Sequence, residues 1–188
     1  MNKQQALSLV KPHLTESRYL HTERVTETAL ELAARFHVVP EKAMLASVFH
    51  DYCKYRPLDE MRRIIEMTAT LPNDLLDYHH ELWHGPVASV LVETELGIKS
   101  SDVRAAIFWH TTGHKQMTDL EKVVYLADYI EPGRDIPGIE VVRRKATYDL
   151  DAAVFLACKN SISFLVSKSR KVYPDALNLY NDLVDRVK

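Results

Sequence analysis

The chain has 188 residues, 46% of them hydrophobic and 27% charged, the composition of one ordinary soluble domain. Its 24 Lys and Arg stand against 26 Asp and Glu for a net charge of -2, which excludes a strongly basic binder of nucleic acid or of membrane surfaces. Cys53 and Cys158 form no CxxC pair, no apolar run approaches the roughly 18 residues a bilayer requires, and the start lacks a signal-peptide core, so a cytoplasmic protein with free thiols is expected.

Five glycines are too few to turn a many-stranded sheet, and apolar residues recur every three or four positions, so the spacing predicts an all-helical fold. The first strong helix is expected from Thr15 to His37, with Leu20, Val25, Ala29, Leu32, Ala33 and Phe36 on one stripe. A second starts at Pro40, where a missing amide costs nothing, and carries Ala43 to Val48 into Phe49-His50-Asp51. Further helices are expected over 57–68, 85–96, 101–110, 118–131, 139–168 and 174–187. Gly97 followed by Ile98 reads as a left-handed C-terminal cap, and Thr118-Asp119-Leu120-Glu121 as a capping box. The segment Gly133 to Gly138 is the one candidate hinge, joining a core of about residues 15–134 to covering helices over about 139–187. The whole of 1–188 reads as a single domain.

Nine histidines stand out. His21, the adjacent His50-Asp51, His84, His110 and Asp128 fall near helix ends or on core-facing stretches, with gaps long enough for a helix to leave and return. Five helices could each send one group inward, which is how bundles build metal sites. Imidazole and carboxylate without thiolate suit Mn, Fe, Co or Zn in five- or six-coordinate geometry rather than a closed structural zinc site.

The order H, HD, H, H and a final D in an all-helical chain resembles the HD-domain metal-dependent phosphohydrolases. Longer strings resemble one bacterial branch, the YqeK-type symmetrical bis(5'-nucleosyl)-tetraphosphatases, which hydrolyse diadenosine tetraphosphate. These strings are Arg18-Tyr19-Leu20-His21-Thr22, Phe49-His50-Asp51-Tyr52-Cys53-Lys54, His84-Gly85-Pro86-Val87, His110-Thr111-Thr112-Gly113 and Ala127-Asp128-Tyr129-Ile130-Glu131-Pro132-Gly133-Arg134. The resemblance implies an HD-domain helical bundle with extra C-terminal helices, symmetrical cleavage to two ADP, iron in two sites and a homodimer.

In-line attack of water on phosphorus piles charge on the phosphoryl and leaving oxygens, and two metals roughly 3.5 to 4 Å apart can hold a bridging hydroxide while neutralising it. Asp51, with two carboxylate oxygens, is the natural bridge. One ion would then take His21, His50, Asp51 and Asp128, and the other His84, His110 and the second oxygen of Asp51. Lys54, three residues after Asp51, would share a helix face with it and hold a phosphate oxygen. Arg134, across the Glu131-Pro132-Gly133 turn from Asp128, could supply a bidentate phosphate donor, with Arg18 and the Thr111 hydroxyl as further candidates for substrate binding.

The spacing also separates relatives. Guanosine tetraphosphate hydrolases typically carry a Glu-Asp pair after the HD, and deoxynucleotide monophosphatases an acid at the Lys54 position; neither is present here. His79-His80-Glu81 is faintly similar to the cyclic-dinucleotide phosphodiesterases of the HD-GYP type, but no Gly-Tyr-Pro follows. His79 and His80 compete with His84 as ligands. A second class of reading, a nucleotide-binding module without catalysis, fits less well with six ligands and Lys54 all in place. Bland roles are expected elsewhere: Cys53 structural, His13 and His37 on the surface, His114 in a solvated loop or near substrate, and Arg143-Arg144-Lys145 on a solvated helix face.

Overall fold

The structure is a computed structural model that describes residues 1–187. Among these are ten α-helices and no strand: α1 (Lys3–Val10), α2 (Glu16–Arg35), α3 (Pro40–Phe49), α4 (Leu58–Met67), α5 (His84–Leu96), α6 (Ser101–Trp109), α7 (Asp119–Ile130), α8 (Ile139–Lys145), α9 (Leu150–Ser167) and α10 (Pro174–Val184). The chain is all-α, as its spacing predicts.

Local chemistry sets the helix ends. Thr15 caps α2 by accepting from the Arg18 amide, and Pro40 occupies the first turn of α3. Gly97 closes α5 in the left-handed region at φ 71, with the Ile98 amide donating to Val92 O at 3.0 Å. Both bonds of the Thr118–Glu121 capping box are made at the start of α7.

Several boundaries differ from expectation. Helix α1 was not foreseen; Asn2 and Gln5 form a capping box that starts it. The helix expected to reach His37 ends at Arg35, because His37 turns left-handed at φ 57. Leu20, assigned to the inward stripe, is 47% exposed; that turn of α2 faces inward through His21 and Thr22 instead. Helix α3 stops at Phe49 and gives way to tighter turns, with Lys54 N donating to Asp51 O at 2.9 Å, so Lys54 does not sit on a continuing helix face. The single helix expected over 139–168 is two, since Asp149 accepts from the Ala152 amide at 2.9 Å and starts α9 afresh.

Helix α7 is buried on nearly every side from Leu120 to Ala127, as befits the central element. Helices α2 and α6 flank it, α3 packs across both, and α5 lies on α6. On another side α9 packs against α7 and carries α8 and α10. Contrary to expectation, α9 is long and apolar enough by length and composition to cross a membrane, with mean hydropathy 1.4 over 18 residues. Its Ala153, Val154, Ala157 and Cys158 are buried, and its Asp151 pairs with Lys122 of α7 at 2.6 Å. The loop from Glu131 to Gly138 is not a free hinge. Arg143, expected in solvent, donates to the carbonyls of Ile130, Glu131 and Arg134 at 3.0, 2.8 and 3.0 Å.

Candidate metal centre

Five elements deliver the polar groups. His21 comes from the second turn of α2, His50-Asp51 from the turn after α3, His84 from the first residue of α5, His110 from the residue after α6, and Asp128 from the last turn of α7. The four histidines and Asp51 are buried. Three groups of these donors each fall within 4.8 Å: His21, His50 and Asp51; His50, His110 and Asp128; Asp51, His84 and His110.

Each imidazole is oriented by its Nδ1. His50 donates to Ser47 O at 2.6 Å, His84 to Glu81 O at 2.7 Å, His110 to Ile107 O at 2.7 Å and His21 to Glu131 Oε1 at 3.0 Å. Those partners are acceptors, so the proton belongs on Nδ1 and every Nε2 presents a lone pair to the centre. His84 Nε2 and His110 Nε2 lie 3.0 Å apart, while His21 Nε2 and His50 Nε2 are buried without a hydrogen-bond partner although carboxylates stand beside them. Lone pairs crowded on lone pairs and carboxylate oxygens repel one another unless a cation lies among them. The donor set therefore fits a metal held by nitrogen and oxygen.

Asp51 directs its two oxygens to different partners. Oδ1 is 3.1 Å from His84 Nε2, whereas Oδ2 lies 3.2 Å from His50 Nε2, 3.9 Å from His21 Nε2 and 3.1 Å from Arg18 Nη1. Where protons rather than a cation fill these contacts, burial opposes the Asp51 charge but His50 and His84 in their charged forms hold the carboxyl well below its usual range, and against its own burial His50 is raised in return by Asp51. Asp128, 3.0 Å from His21 Nε2, is likewise held low against burial by His21 and Arg134. Burial together with His84 and His50 pushes His110 down to about 3, leaving a neutral ring suited to ligation.

Two guanidiniums touch this cluster. Arg134 reaches Asp128 Oδ1 at 2.7 Å and Asp128 O at 3.1 Å, and Arg18 holds Asp51. Lys54 is paired with Glu81 at 2.5 Å, not with Asp51. The Thr111 hydroxyl is buried without a partner beside His110. His79 and His80 stack on each other at 4.4 Å and belong to none of the donor groups, whereas His84 belongs to one. His13 and His37 are exposed, and His114 pairs with Glu121 at 3.1 Å. Cys53 is fully buried and its thiol is pushed up to about 12 by burial.

Two supporting features escaped the sequence reading. Buried Glu131 binds His21 Nδ1 and also Arg24 Nε at 2.6 Å, orienting a candidate ligand through its far nitrogen. Gly85 lets α5 approach α6: a Cβ there would sit 3.0 Å from Ile107 O and Phe108 O and 3.1 Å from His110 Cε1. Glu131 and Gly85 both lie within the quoted strings, the only signal that marked them.

The HD domain family model matches residues 18–133, the segment that carries all six groups. The chain belongs to the HD-domain family, in its YqeK-type branch. Over 98% of both chains it is 48% identical to the symmetrical bis(5'-nucleosyl)-tetraphosphatase of Bacillus subtilis. It is 44% identical to the protein of the same name from Staphylococcus aureus, over 100% of this chain and 99% of that one. A crystal structure from Clostridium acetobutylicum, described as a "predicted HD superfamily hydrolase involved in NAD metabolism", superposes with a TM-score of 0.92 at 32% identity, covering 99% of this chain and 98% of the other. Membership in the HD-domain family brings metal binding with it, in accord with the grouped histidines and aspartates.

Proposed function

We propose that this protein is a metal-dependent hydrolase that cleaves diadenosine tetraphosphate symmetrically into two ADP. The observation that carries the reading is the gathering of His21, His50, His84, His110, Asp51 and Asp128 into three overlapping donor groups, each within 4.8 Å, in a chain 48% identical over its length to a symmetrical bis(5'-nucleosyl)-tetraphosphatase. In this reading His21, His50, Asp51 and Asp128 hold one ion and His84, His110 and Asp51 a second. Both ions are iron, with Mn, Co or Zn as substitutes the same donors accept. When bound, the metal supplies Lewis acidity toward phosphoryl oxygen and lowers the pKa of the attacking water.

The protein's own groups do the rest. Arg18 and Arg134, already aimed at the carboxylates of Asp51 and Asp128, neutralise the polyphosphate on either side of the scissile bridge. Lys54 exchanges Glu81 for a phosphate oxygen, and the orphaned Thr111 hydroxyl donates to another. Glu131 keeps His21 in one orientation, so the site is built before substrate arrives. The departing ADP is a stable anion, which removes the need for a strong general acid.

The whole of residues 1–188 acts as one unit, with the metal-site core at about 15–134 and the C-terminal helices over about 139–187 covering it. It works in the cytoplasm, binds neither nucleic acid nor membrane, and pairs as a homodimer. The net charge of -2 and two buried free thiols support the first two statements, and the exposed Phe164 and Val166 at the end of α9 support the third. The test is to incubate metal-loaded protein with a panel of nucleotides and to resolve the products by anion-exchange chromatography. ADP alone from diadenosine tetraphosphate is expected; ATP plus AMP, or preferential cleavage of a cyclic dinucleotide, overturns the reading.

A further inference from the structure

We propose that an apolar chamber beside the metal centre takes the base of one nucleoside of the substrate, held between a wall from the HD core and a wall from the C-terminal segment. The proposal rests on the polyphosphate hydrolase reading above. The chamber has a volume of about 450 Å³ and lies between the segment around Tyr78 and helix α9. That is within the range of about 300–1,000 Å³ in which small-molecule sites fall. A smaller cavity of about 250 Å³, lined by His110, Asp128 and Arg134, shares Thr111, Tyr125 and Ser161 with the chamber. The two spaces therefore adjoin, one beside ligand-type groups and a guanidinium, the other largely apolar.

This division matches a nucleotide, whose phosphates need cations and whose base needs a dry flat-sided slot. Ile162 and Leu165 of α9 and the rings of Tyr78 and Tyr173 line the chamber. The two rings meet edge to face at 4.9 Å. Tyr173 donates to Asp74 at 3.1 Å and Lys171 to Asp77 O at 2.8 Å, so the wall is tied across 99 and 94 residues of chain and stands ready-made. At the passage between the cavities the buried Thr111 hydroxyl has no partner, leaving one hydrogen bond for a ligand that extends from one space to the other. Ile162, Leu165 and Tyr173 all lie beyond residue 133, where the HD domain match ends. Tyr78 lies within that match, so the base would be gripped between the HD segment and the C-terminal segment.

Ile162→Trp fills the chamber, and Tyr78→Ala strips one aromatic wall. Calorimetry on metal-loaded protein, with ADP and with pyrophosphate as separate probes, reads the effect. ADP binding should weaken at least about tenfold in both variants, the loss of one base-stacking contact, while pyrophosphate binding stays at the unsubstituted level. The KM for diadenosine tetraphosphate should rise in step. Should Ile162→Trp not fold, Tyr78→Ala and a crystal structure of the unsubstituted holoprotein with a methylene-bridged diadenosine tetraphosphate carry the test, one purine being expected in the chamber. Unchanged ADP affinity in folded variants, or both purines outside the chamber, overturns the proposal. A protein that fails to hydrolyse diadenosine tetraphosphate defeats the hydrolase reading, and the comparison of ADP with pyrophosphate still decides the chamber.

Discussion

Glu131 accepts a hydrogen bond from His21 Nδ1 at 3.0 Å across 110 residues of chain, while its other oxygen holds Arg24 at 2.6 Å. The pair fixes both the tautomer and the tilt of the ring, and the guanidinium keeps the buried carboxylate charged. Glu131→Gln preserves shape but removes the charge that Arg24 and His21 share. Metal affinity should fall roughly 10- to 100-fold, read by competition with a chelating dye, with the helical circular dichroism unchanged. Unaltered affinity would show that His21 is positioned without Glu131.

Asp51→Ala removes the carboxylate that faces both histidine groups. The unsubstituted protein should carry about two ions per chain by elemental analysis, and the variant close to none, with turnover near background. A fully active sample holding at most one ion per chain contradicts a shared Asp51.

Lys54→Ala leaves every proposed ligand in place. It should cost about 1.5 to 3 kcal/mol of transition-state binding, or roughly ten- to a hundredfold in kcat/KM, at unchanged metal content. Full retention of kcat/KM would mean that Lys54 serves only its ion pair with Glu81.

Cys53→Ser provides the contrast. With the thiol raised to about 12 by burial, almost no thiolate exists at neutral pH, so no nucleophile is lost. Turnover per folded chain should persist, while a buried hydroxyl lowers stability by about 1–3 kcal/mol in denaturant melts. Abolished turnover in folded, metal-replete variant would contradict the site.

The Glu121 carboxyl is held below its ordinary value of 4.5, since contacts with His114 and Thr118 outweigh the burial that opposes its charge. A carboxyl lowered on folding contributes its stabilisation in full above the unfolded value, and loses it as pH falls through the folded one. The difference in unfolding free energy between the parent and Glu121→Gln should therefore shrink as pH falls below about pH 4.5. A difference that grows on acidification would reverse the assignment.

Features written in neighbouring residues were the legible ones. The Thr118–Glu121 box, Gly97 and Pro40 act over a single turn, so each could be read without the fold. The six site groups were marked by their strings, which say which residues matter but not how they meet. What lay beyond reach was tertiary. Leu20 fits an apolar stripe by spacing, yet the centre claims that face of α2 for His21. Lys54 was placed by helical geometry that α3 abandons at Phe49. Thr147, Tyr148 and Asp149 fall between α8 and α9, and Asp149 starts the second helix by accepting from the Ala152 amide. Arg143 looked like one of three surface cations, and nothing nearby announced the carbonyls it would find.

Those carbonyls have a consequence for how substrate is met. By gripping Ile130, Glu131 and Arg134 at once, Arg143 freezes the turn that carries the Arg134 guanidinium. The ordering entropy of that turn is spent when the chain folds rather than when a polyphosphate arrives. In the proposed role of Arg134 as a phosphate donor, substrate would therefore be met without closure of this turn.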